Sequence, residues 1–334
     1  MNRIEIRKPK GFSLAAASKF YAGFTPGSGM AAAATDRLTL AFRLDRTFEP
    51  VAVALSERDS VIELTVAGTH ELDRVAAQVA RILGLEAGAE DWLELGRRDP
   101  IVGALQREFP GFFTAAKSSP YDAAAWAMIS SRIGANQAAT IKLALARELG
   151  DGVELEGRRY ELFPAPSALS ALESFPGLSA EKVVRLRGVG EAARSGLLDA
   201  EYLRALGETR ALAELQTLRG VGPWVASHIY FRGAAPTDGL PLVEPRVLHG
   251  FSHAYRLESA TFEMLAEYAE AWRPFRMWVC VLFSRHLARI GAWHAPTLTS
   301  ERAAAGRALS RRAQTSLSWP ARDAREDRNA WPLA

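Results

Sequence analysis

The sequence predicts an α+β protein in which a small strand-rich N-terminal domain precedes a long helical body. Three observations support this prediction: alternating apolar residues before residue 67, helical periodicity after residue 72, and short connectors rich in Gly and Pro. The chain has 334 residues, enough for roughly two or three domains. Hydrophobic residues make up 48% and charged residues 24%, which is ordinary globular composition and excludes disordered, collagen-like and coiled-coil classes.

β-Strands are predicted within residues 36–67, where apolar and polar residues alternate. Leu38 and Leu40, for example, fall on the same side of a strand. A polar break at residues 57–60 predicts a hairpin turn. Residues 72–83 then repeat apolar side chains at three- and four-residue spacing, as an amphipathic helix does.

This pattern divides the chain into three segments. Residues 1–86 are predicted to form a small domain with an antiparallel sheet and a helix. Residues 87–296 are predicted to be an all-α body with short connectors. Residues 297–334 are rich in Ala, Arg and Ser, so we expect a flexible basic tail that either attracts phosphates non-specifically or takes no part in function.

Several classes of protein are excluded by what the sequence lacks. The first ten residues are charged and carry no secretory signal, and no apolar window of about 18 residues predicts a membrane span. The single cysteine, Cys280, excludes internal disulfides and four-cysteine metal sites. The net charge is +3, and arginine far outnumbers lysine, but a GC-rich genome accounts for that excess. We therefore expect a cytoplasmic protein, with only weak evidence from charge for a nucleic-acid partner.

The most informative motif is a helix, a Gly-x-Gly turn and a second helix at residues 215–226. Gly220, Val221 and Gly222 form the turn, where glycines permit a tight bend and close approach to another molecule. Backbone N–H groups at the start of the second helix suit a phosphate and bind it independently of base sequence. Some twenty residues later, a loop rich in Gly and Pro delivers one carboxylate, Glu244, to the start of another helix.

With these motifs in this order, the chain resembles the helix-hairpin-helix DNA glycosylase superfamily, and most of all its 3-methyladenine DNA glycosylase II family. The resemblance extends over residues 9–295. Residues 124–139 resemble the helix and loop that enter the DNA groove, and residues 268–276 resemble a Tyr-Ala-Glu-x-Trp-x-Pro-aromatic-Arg segment. The alternative, an unrelated helical protein, predicts no salt-dependent binding to duplex DNA.

The resemblance implies a helix-hairpin-helix body behind a TBP-like N-terminal domain. It also implies an enzyme of base excision repair, which flips an alkylated or otherwise modified base out of duplex DNA and releases it by hydrolysis. The implied partner is DNA containing damaged bases. We expect a monomer associated with the nucleoid, with no membrane partner.

Glu244 occupies the position at which the family carries its catalytic aspartate. A carboxylate there stabilises the oxocarbenium charge of the sugar or activates a water molecule. Glutamate has the same charge as aspartate, but its side chain is one methylene longer. Glu244 is therefore either a catalyst whose carboxylate is placed differently from the family's aspartate, or the remnant of a lost catalytic site. The second alternative predicts a catalytically impaired DNA-binding protein. Asp238, at the start of the loop, is a third candidate, although its simpler interpretation is a loop cap.

The hairpin also predicts the type of reaction and the base pocket. Bifunctional members carry a lysine where this chain has Trp224, so the resemblance implies a monofunctional glycosylase that leaves an abasic site. Trp224 matches an aromatic residue beside the base, unless it is a core tryptophan. Two further pocket aromatics of the family fall at His228 and Ser284. We expect Trp278, Phe275 and Tyr230, on adjacent helices, to line the pocket in their place.

Two other features are implied by the resemblance. Ser131 and Arg132 occupy the loop that fills the gap left by the flipped nucleotide, where Arg132 either stacks on bases or contacts a phosphate. Backbone carbonyls of Gln216, Leu218 and Val221 are implied ligands of a structural monovalent cation at the hairpin. No other cofactor is expected.

A shorter copy of the hairpin motif occurs earlier in the chain. Residues 186–190 read Leu-Arg-Gly-Val-Gly, as do residues 218–222. The copy is either a second phosphate-binding hairpin or the end of a helix at Gly188 or Gly190. Because the residues that follow are unlike those of the first motif, we favour the helix end.

Overall fold

A computed structural model describes residues 2–22, 31–34, 37–86, 88–114 and 116–292 of the chain. An antiparallel sheet near the N-terminus is followed by a body built mainly of helices, which confirms the α+β fold class predicted from the sequence. The predicted boundary at residue 86 lies between two helices, and the predicted tail at residues 297–334 lies outside the described residues.

The sheet has five strands: β1 (Asn2–Arg7), β2 (Ala31–Ala34), β3 (Arg37–Arg43), β4 (Pro50–Arg58) and β5 (Val61–Ala67). Their order is β1-β5-β4-β3-β2, and all neighbours are antiparallel. The predicted turn joins β4 to β5, with Asp59 in the left-handed region at φ 49°. β1 was not predicted, because a single short edge strand with charged alternate residues resembles an exposed loop.

Each face of the sheet carries side chains of a different size. The large residues anticipated from the alternation, among them Leu38, Leu40 and Leu64, are buried under α1 (Leu14–Ala22) and α2 (Leu72–Leu83). The opposite face is formed by small residues, which leave room for a second layer to approach closely.

A short hairpin supplies that second layer, so the body after residue 87 is not all-α as predicted. β6 (Gly152–Leu155) and β7 (Arg158–Glu161) pack Val153 and Tyr160 against Ala41, Ala52 and Ala54 of the sheet. The four-residue strands are too short to show a period of two in the sequence. Their apolar side chains are buried by the distant sheet and not by local neighbours.

Apart from this hairpin, the body is built of helices, as predicted. They are α3 (Ala89–Arg98), α4 (Pro100–Glu108), α5 (Pro120–Ser130), α6 (Ala135–Leu149), α7 (Pro166–Ser170), α8 (Ala180–Arg194), α9 (Ala200–Leu206), α10 (Glu208–Leu215), α11 (Pro223–Ile229), α12 (Pro245–Ala254), α13 (Phe262–Ala269) and α14 (Arg276–Arg289). Five of them begin with proline, whose missing N–H costs nothing in the first turn. No helix in the described ranges is long and apolar enough to cross a membrane.

The copy of the hairpin motif at residues 186–190 is neither a hairpin nor a helix end. α8 continues through both glycines to Arg194, which corrects both predictions. A Cβ at Gly190 would lie 2.7 Å from the carbonyl oxygen of Pro166 and 2.8 Å from the backbone nitrogen of Ser170. Gly190 is therefore required for the close approach of α7 to α8, a long-range contact that the local sequence does not reveal.

A buried group of charges fixes the start of α5. Asp122 accepts a hydrogen bond from Lys142 of α6, and its second oxygen lies 3.8 Å from Lys117 Nζ. All three side chains are less than 10% exposed. Burial alone raises the pKa of Asp122, but the charges of Lys142 and Lys117 outweigh it and hold this pKa below its usual value. The carboxylate therefore ties α5 to α6 and to the segment before α5.

We expect Asp122→Asn to lower the free energy of unfolding by about 3–5 kcal/mol, because it leaves two buried lysines without their carboxylate. Urea denaturation followed by circular dichroism measures the change. Glu94→Gln, which breaks the exposed ion pair with Arg97 on α3, is the control and should cost less than about 1 kcal/mol. Equal losses in the two variants would contradict a structural role for the buried group.

Candidate active site

The predicted Gly-x-Gly turn lies between α10 and α11 and is exposed. Gly220 has φ +84°, and a Cβ at this position would lie 2.6 Å from Cδ of Arg185. Gly222 caps α11 and has open space around it. Val221 between them is only 6% exposed, so its side chain anchors the turn in the core. The backbone at Gly222 is thus presented to solvent without an obstructing side chain, whereas the Arg185 side chain lies beside Gly220.

Glu244 lies at the end of the Gly- and Pro-rich loop, where it caps α12. Its Oε1 accepts a hydrogen bond from the backbone N–H of Arg246 at 3.2 Å. Its Oε2 accepts one from the indole Nε1–H of Trp224 at 3.1 Å. The Glu244 side chain is 23% exposed. The structure therefore brings the predicted carboxylate to the predicted hairpin, in a fixed orientation that solvent still reaches.

Trp224 is 42% exposed at the start of α11, so it is not a core tryptophan. Its ring stacks on that of His228, one turn further along, with centroids 5.4 Å apart and planes inclined by 16°. One face of the indole is thus occupied by the protein's own imidazole. The pair places an aromatic platform directly beside the carboxylate of Glu244.

His228 is neutral at physiological pH. Its Nε2 atom is buried and has no hydrogen-bond partner among the described residues. Burial lowers the pKa of His228 well below 6.5, and the positive charges of Lys117, Arg232 and Arg246 lower it further. The imidazole therefore provides a hydrogen-bonding group in this site, and no charge.

Two cationic side chains of the site were not predicted. Arg232 lies in the π-helical turn Tyr230–Ala234 that follows α11, and interacts electrostatically with Glu244. Lys117 lies close enough to lower the pKa of His228, and its Nζ is 5.0 Å from the ring centre of Trp126. The α-helical spacing of the sequence does not give the position of Arg232, because the chain forms a π-helical turn there. Lys117 comes close to His228 only through the tertiary fold, so its sequence position did not predict it.

Trp278, predicted to line the base pocket, lies in the core instead, as do Phe275 and Tyr230. Trp278 is 2% exposed, Phe275 1% and Tyr230 4%. Trp278 packs against the rings of Trp92, Phe113 and Phe275 at centroid distances of 5.2–5.3 Å. Edge-to-face and tilted contacts of this kind stabilise the packing of α3 against α14. A helix with apolar residues on most of its surface offers no sequence signal that separates a pocket residue from a core residue.

Asp238, the third candidate carboxylate, is already engaged by two arginines. Arg273 and Arg276 both bind its carboxylate, at 2.7 and 2.5 Å, and Glu270 binds the same two guanidinium groups. This cluster fixes the start of the loop whose other end carries Glu244. The structure thus agrees with the interpretation of Asp238 as a residue that caps the loop, and not as the catalytic carboxylate.

Ser131 and Arg132 form the tip of the connection between α5 and α6. Ser131 donates its hydroxyl to the carbonyl of Met128 at 3.0 Å. Arg132 is exposed, has φ 59° and forms no ion pair with any residue that the structure describes. Its guanidinium is therefore available to an external partner. The structure does not distinguish between stacking on bases and contact with a phosphate.

Histidine, cysteine and carboxylate side chains give no metal centre in the described part of the chain, since no three of them are placed to share an ion. At the hairpin, the carbonyl of Leu218 accepts a hydrogen bond from the N–H of Val221 at 3.0 Å. One lone pair of that carbonyl remains for another partner.

We expect His228→Phe to reduce the acid sensitivity of the fold. Because the imidazole is neutral when folded but protonates in the unfolded chain below about pH 6.5, His228 costs about 1.4 kcal/mol of stability at about pH 5.5. Urea denaturation at about pH 7.5 and pH 5.5 measures this cost as the difference between wild type and variant. Identical losses of stability on acidification in both proteins would show that His228 protonates freely in the folded state.

Comparison with known proteins agrees with this geometry, although no family model matches the chain. A DNA-3-methyladenine glycosylase of Bacillus subtilis (strain 168) is 18% identical over 256 residues, which cover 70% of this chain and 84% of the relative.

Two solved structures show the same fold. A 3-methyladenine DNA glycosylase from Archaeoglobus fulgidus has a TM-score of 0.70 and 20% identity, covering 88% of this chain and 100% of its own. An 8-oxoguanine glycosylase/lyase of Clostridium acetobutylicum, in complex with double-stranded DNA, has a TM-score of 0.56 and 14% identity. The match covers 79% of this chain and 99% of the glycosylase/lyase chain. The chain therefore has the same fold as these two DNA glycosylases, with a Gly-x-Gly hairpin and a carboxylate loop that meets it.

Proposed function

We propose that the chain is a monofunctional DNA glycosylase of base excision repair. It binds DNA that contains a damaged base, flips that nucleotide out of the duplex and hydrolyses the bond between base and sugar. The observation that carries the proposal is the hydrogen bond between Glu244 and Trp224, which joins the carboxylate to the hairpin. The hairpin, the loop at Ser131 and Arg132 and the carboxylate all come from one chain, so the proposed site needs no second subunit. The proposal includes action as a monomer on nucleoid DNA in the cytoplasm.

Glu244 is the group that supports departure of the base. As the glycosidic bond breaks, positive charge develops on the sugar, and a nearby carboxylate stabilises that charge or takes a proton from the attacking water. Trp224 and the backbone of Arg246 each donate one hydrogen bond to Glu244. A carboxylate has about four acceptor sites, so both oxygens keep capacity for water or substrate while their orientation is fixed.

The absence of a lysine nucleophile at the hairpin supports hydrolysis without strand cleavage. Trp224 stands where a Schiff-base lysine would have to lie. Lys117 is the nearby lysine, but its side chain is 1% exposed and lies beside Asp122. A sugar carbon in a DNA groove does not reach such a buried amine. The open face of Trp224 instead offers a stacking surface for an alkylated or otherwise modified base.

The remaining surface features support binding of the DNA backbone. The exposed turn at Gly220 and Gly222 presents backbone N–H groups to a phosphate. The carbonyls of Gln216, Leu218 and Val221 are neutral oxygen donors, which suit a monovalent cation better than a transition metal. Such a cation would hold the turn rigid and add positive charge near the phosphate.

We expect Glu244→Gln to lower base release by about 100-fold or more, because it removes the charge that stabilises the transition state. Mass spectrometry of bases released from heat-treated, alkylated genomic DNA measures the loss. Affinity for duplex DNA should stay within about 3-fold of wild type, because Glu244 makes no attractive contact with phosphates. Glu94→Gln is the control for a lost surface charge and should leave base release unchanged.

Glu244→Asp separates the two interpretations of the glutamate. The shorter aspartate side chain loses the hydrogen bond from Trp224. If the enzyme is adapted to glutamate, the variant therefore releases the base more slowly. If Glu244 is instead the remnant of a site that once carried a catalytic aspartate, Glu244→Asp restores that aspartate, and base release increases. Full base release by Glu244→Gln would contradict the proposed function itself.

Arg132→Ala tests the role of the loop between α5 and α6, which carries Ser131 and Arg132. If Arg132 contacts a phosphate, the variant weakens binding to all duplexes and reduces the salt slope of log K by about 1. If it fills the gap left by the flipped nucleotide, base release falls while the salt slope is retained. Fluorescence anisotropy at several salt concentrations, with lesion-containing and normal duplexes, decides between them. A variant equal to wild type in both assays would remove Arg132 from the DNA interface.

A further inference from the structure

The loop between α5 and α6 turns sharply at Arg132. This residue has φ 59°, in the left-handed region, where a residue with a side chain is uncommon and stays only if its surroundings fix the backbone. α5 ends two residues earlier, at Ser130, and the last carbonyls of a helix have no partner within the helix. The conformation at Arg132 therefore depends on the groups that bind those carbonyls.

The last turn of α5 is bound by donors from two parts of the chain. The hydroxyl of Ser131 and the backbone N–H of Ile133, both in the loop, donate to carbonyls of this turn at 3.0 and 3.3 Å. The ammonium group of Lys182 on α8 donates to the carbonyl of Ile129 at 2.6 Å. A positive charge is favourable at the C-terminal end of a helix. Lys182 thus ties the end of α5 to a second helix.

The same turn of α8 also contacts the Gly-x-Gly hairpin. Glu181, next to Lys182, binds Nη2 of Arg219 at 2.9 Å and Nε of Arg185 at 3.0 Å. Arg219 directly precedes the hairpin, and a Cβ at Gly220 would lie 2.6 Å from Cδ of Arg185. Two neighbouring side chains at the start of α8 therefore contact the two loops that the proposed function places on DNA.

We propose that Lys182 is a positioning residue for the glycosylase reaction. Its ammonium group fixes the last turn of α5, and thereby the point at which Arg132 meets DNA relative to a phosphate bound at the hairpin. A displacement of about 1 Å in a group that positions a substrate can cost about 100-fold in rate, so one contact from α8 is enough to affect catalysis. This inference rests on the proposed function and adds a residue that acts through Arg132, and not on the reacting bond.

The first test removes the donor and keeps the length of the side chain. We expect Lys182→Met to lower kcat/KM for base release from alkylated genomic DNA by about 10-fold. Lys182→Arg, which keeps a charged donor, should recover most of the loss. Arg187→Met is the matched control, because Arg187 lies on the same helix and donates to the carbonyl of Ser170 at 3.2 Å. It should stay within about 2-fold of wild type.

The outcomes separate this inference from the proposed function. Base release by Lys182→Met at the wild-type rate would overturn the inference and leave the proposed function intact. An equal loss in Arg187→Met would do the same, because it would show that only the positive charge of α8 matters. Release of no base by the wild-type protein would overturn both.

The second test asks whether Lys182 acts through Arg132. In a protein that already carries Arg132→Ala, Lys182→Met should lower kcat/KM by less than about 2-fold, because the side chain that it positions is gone. Amide hydrogen exchange at residues 130–134 should be faster in Lys182→Met than in Arg187→Met, while exchange in α14 shows that both variants are folded. A full further loss in the double variant, or unchanged exchange at residues 130–134, would overturn the inference.

Discussion

The hydrogen bond between Trp224 and Glu244 is the contact on which the rest of the site depends. It joins the first residues of α11 to the cap of α12, two helix ends that meet only through the tertiary fold. A hydrogen bond to a charged acceptor contributes about 1.5–3 kcal/mol, enough to fix one side-chain conformation. The hairpin sets the position of Trp224, and Trp224 sets that of the carboxylate. The backbone of the hairpin and the carboxylate are therefore held in a fixed position relative to each other.

The loop between these helices is held at both of its ends. Asp238 is bound by Arg273 and Arg276 at the start, and Glu244 caps α12 at the finish. α12 in turn packs on α14 where Gly250 meets Phe283, and a Cβ there would lie 2.6 Å from the phenylalanine side chain. Of the two acidic residues in the loop, one is thus used to place the other. Both carboxylates keep some exposure to solvent, but two arginines bind Asp238, whereas an indole N–H and a backbone N–H bind Glu244.

What the sequence predicts well is what neighbouring residues determine. The alternation at Leu38 and Leu40 and the glycines of the hairpin each act within a few residues, and the structure contains the predicted strand and turn. The failures involve distant partners: Gly190 serves a contact with α7, and Trp278 is buried by α3. The carboxylate position came from the motif order, but its bond to Trp224 depends on how two helices pack. The hairpin β6–β7 was missed for the same reason, since only the sheet stabilises it.

The aromatic platform is formed by one exposed ring and one neutral ring. Trp224 is 42% exposed, and its ring stacks on that of His228. Burial and the positive charges around His228 lower the pKa of its imidazole, so the ring that stacks on Trp224 carries no charge. A cationic ligand on the open face of Trp224 would gain about 0.5–2 kcal/mol from the indole. Because the neutral imidazole does not repel such a ligand, the stacked pair suits a cationic as well as an uncharged aromatic ring.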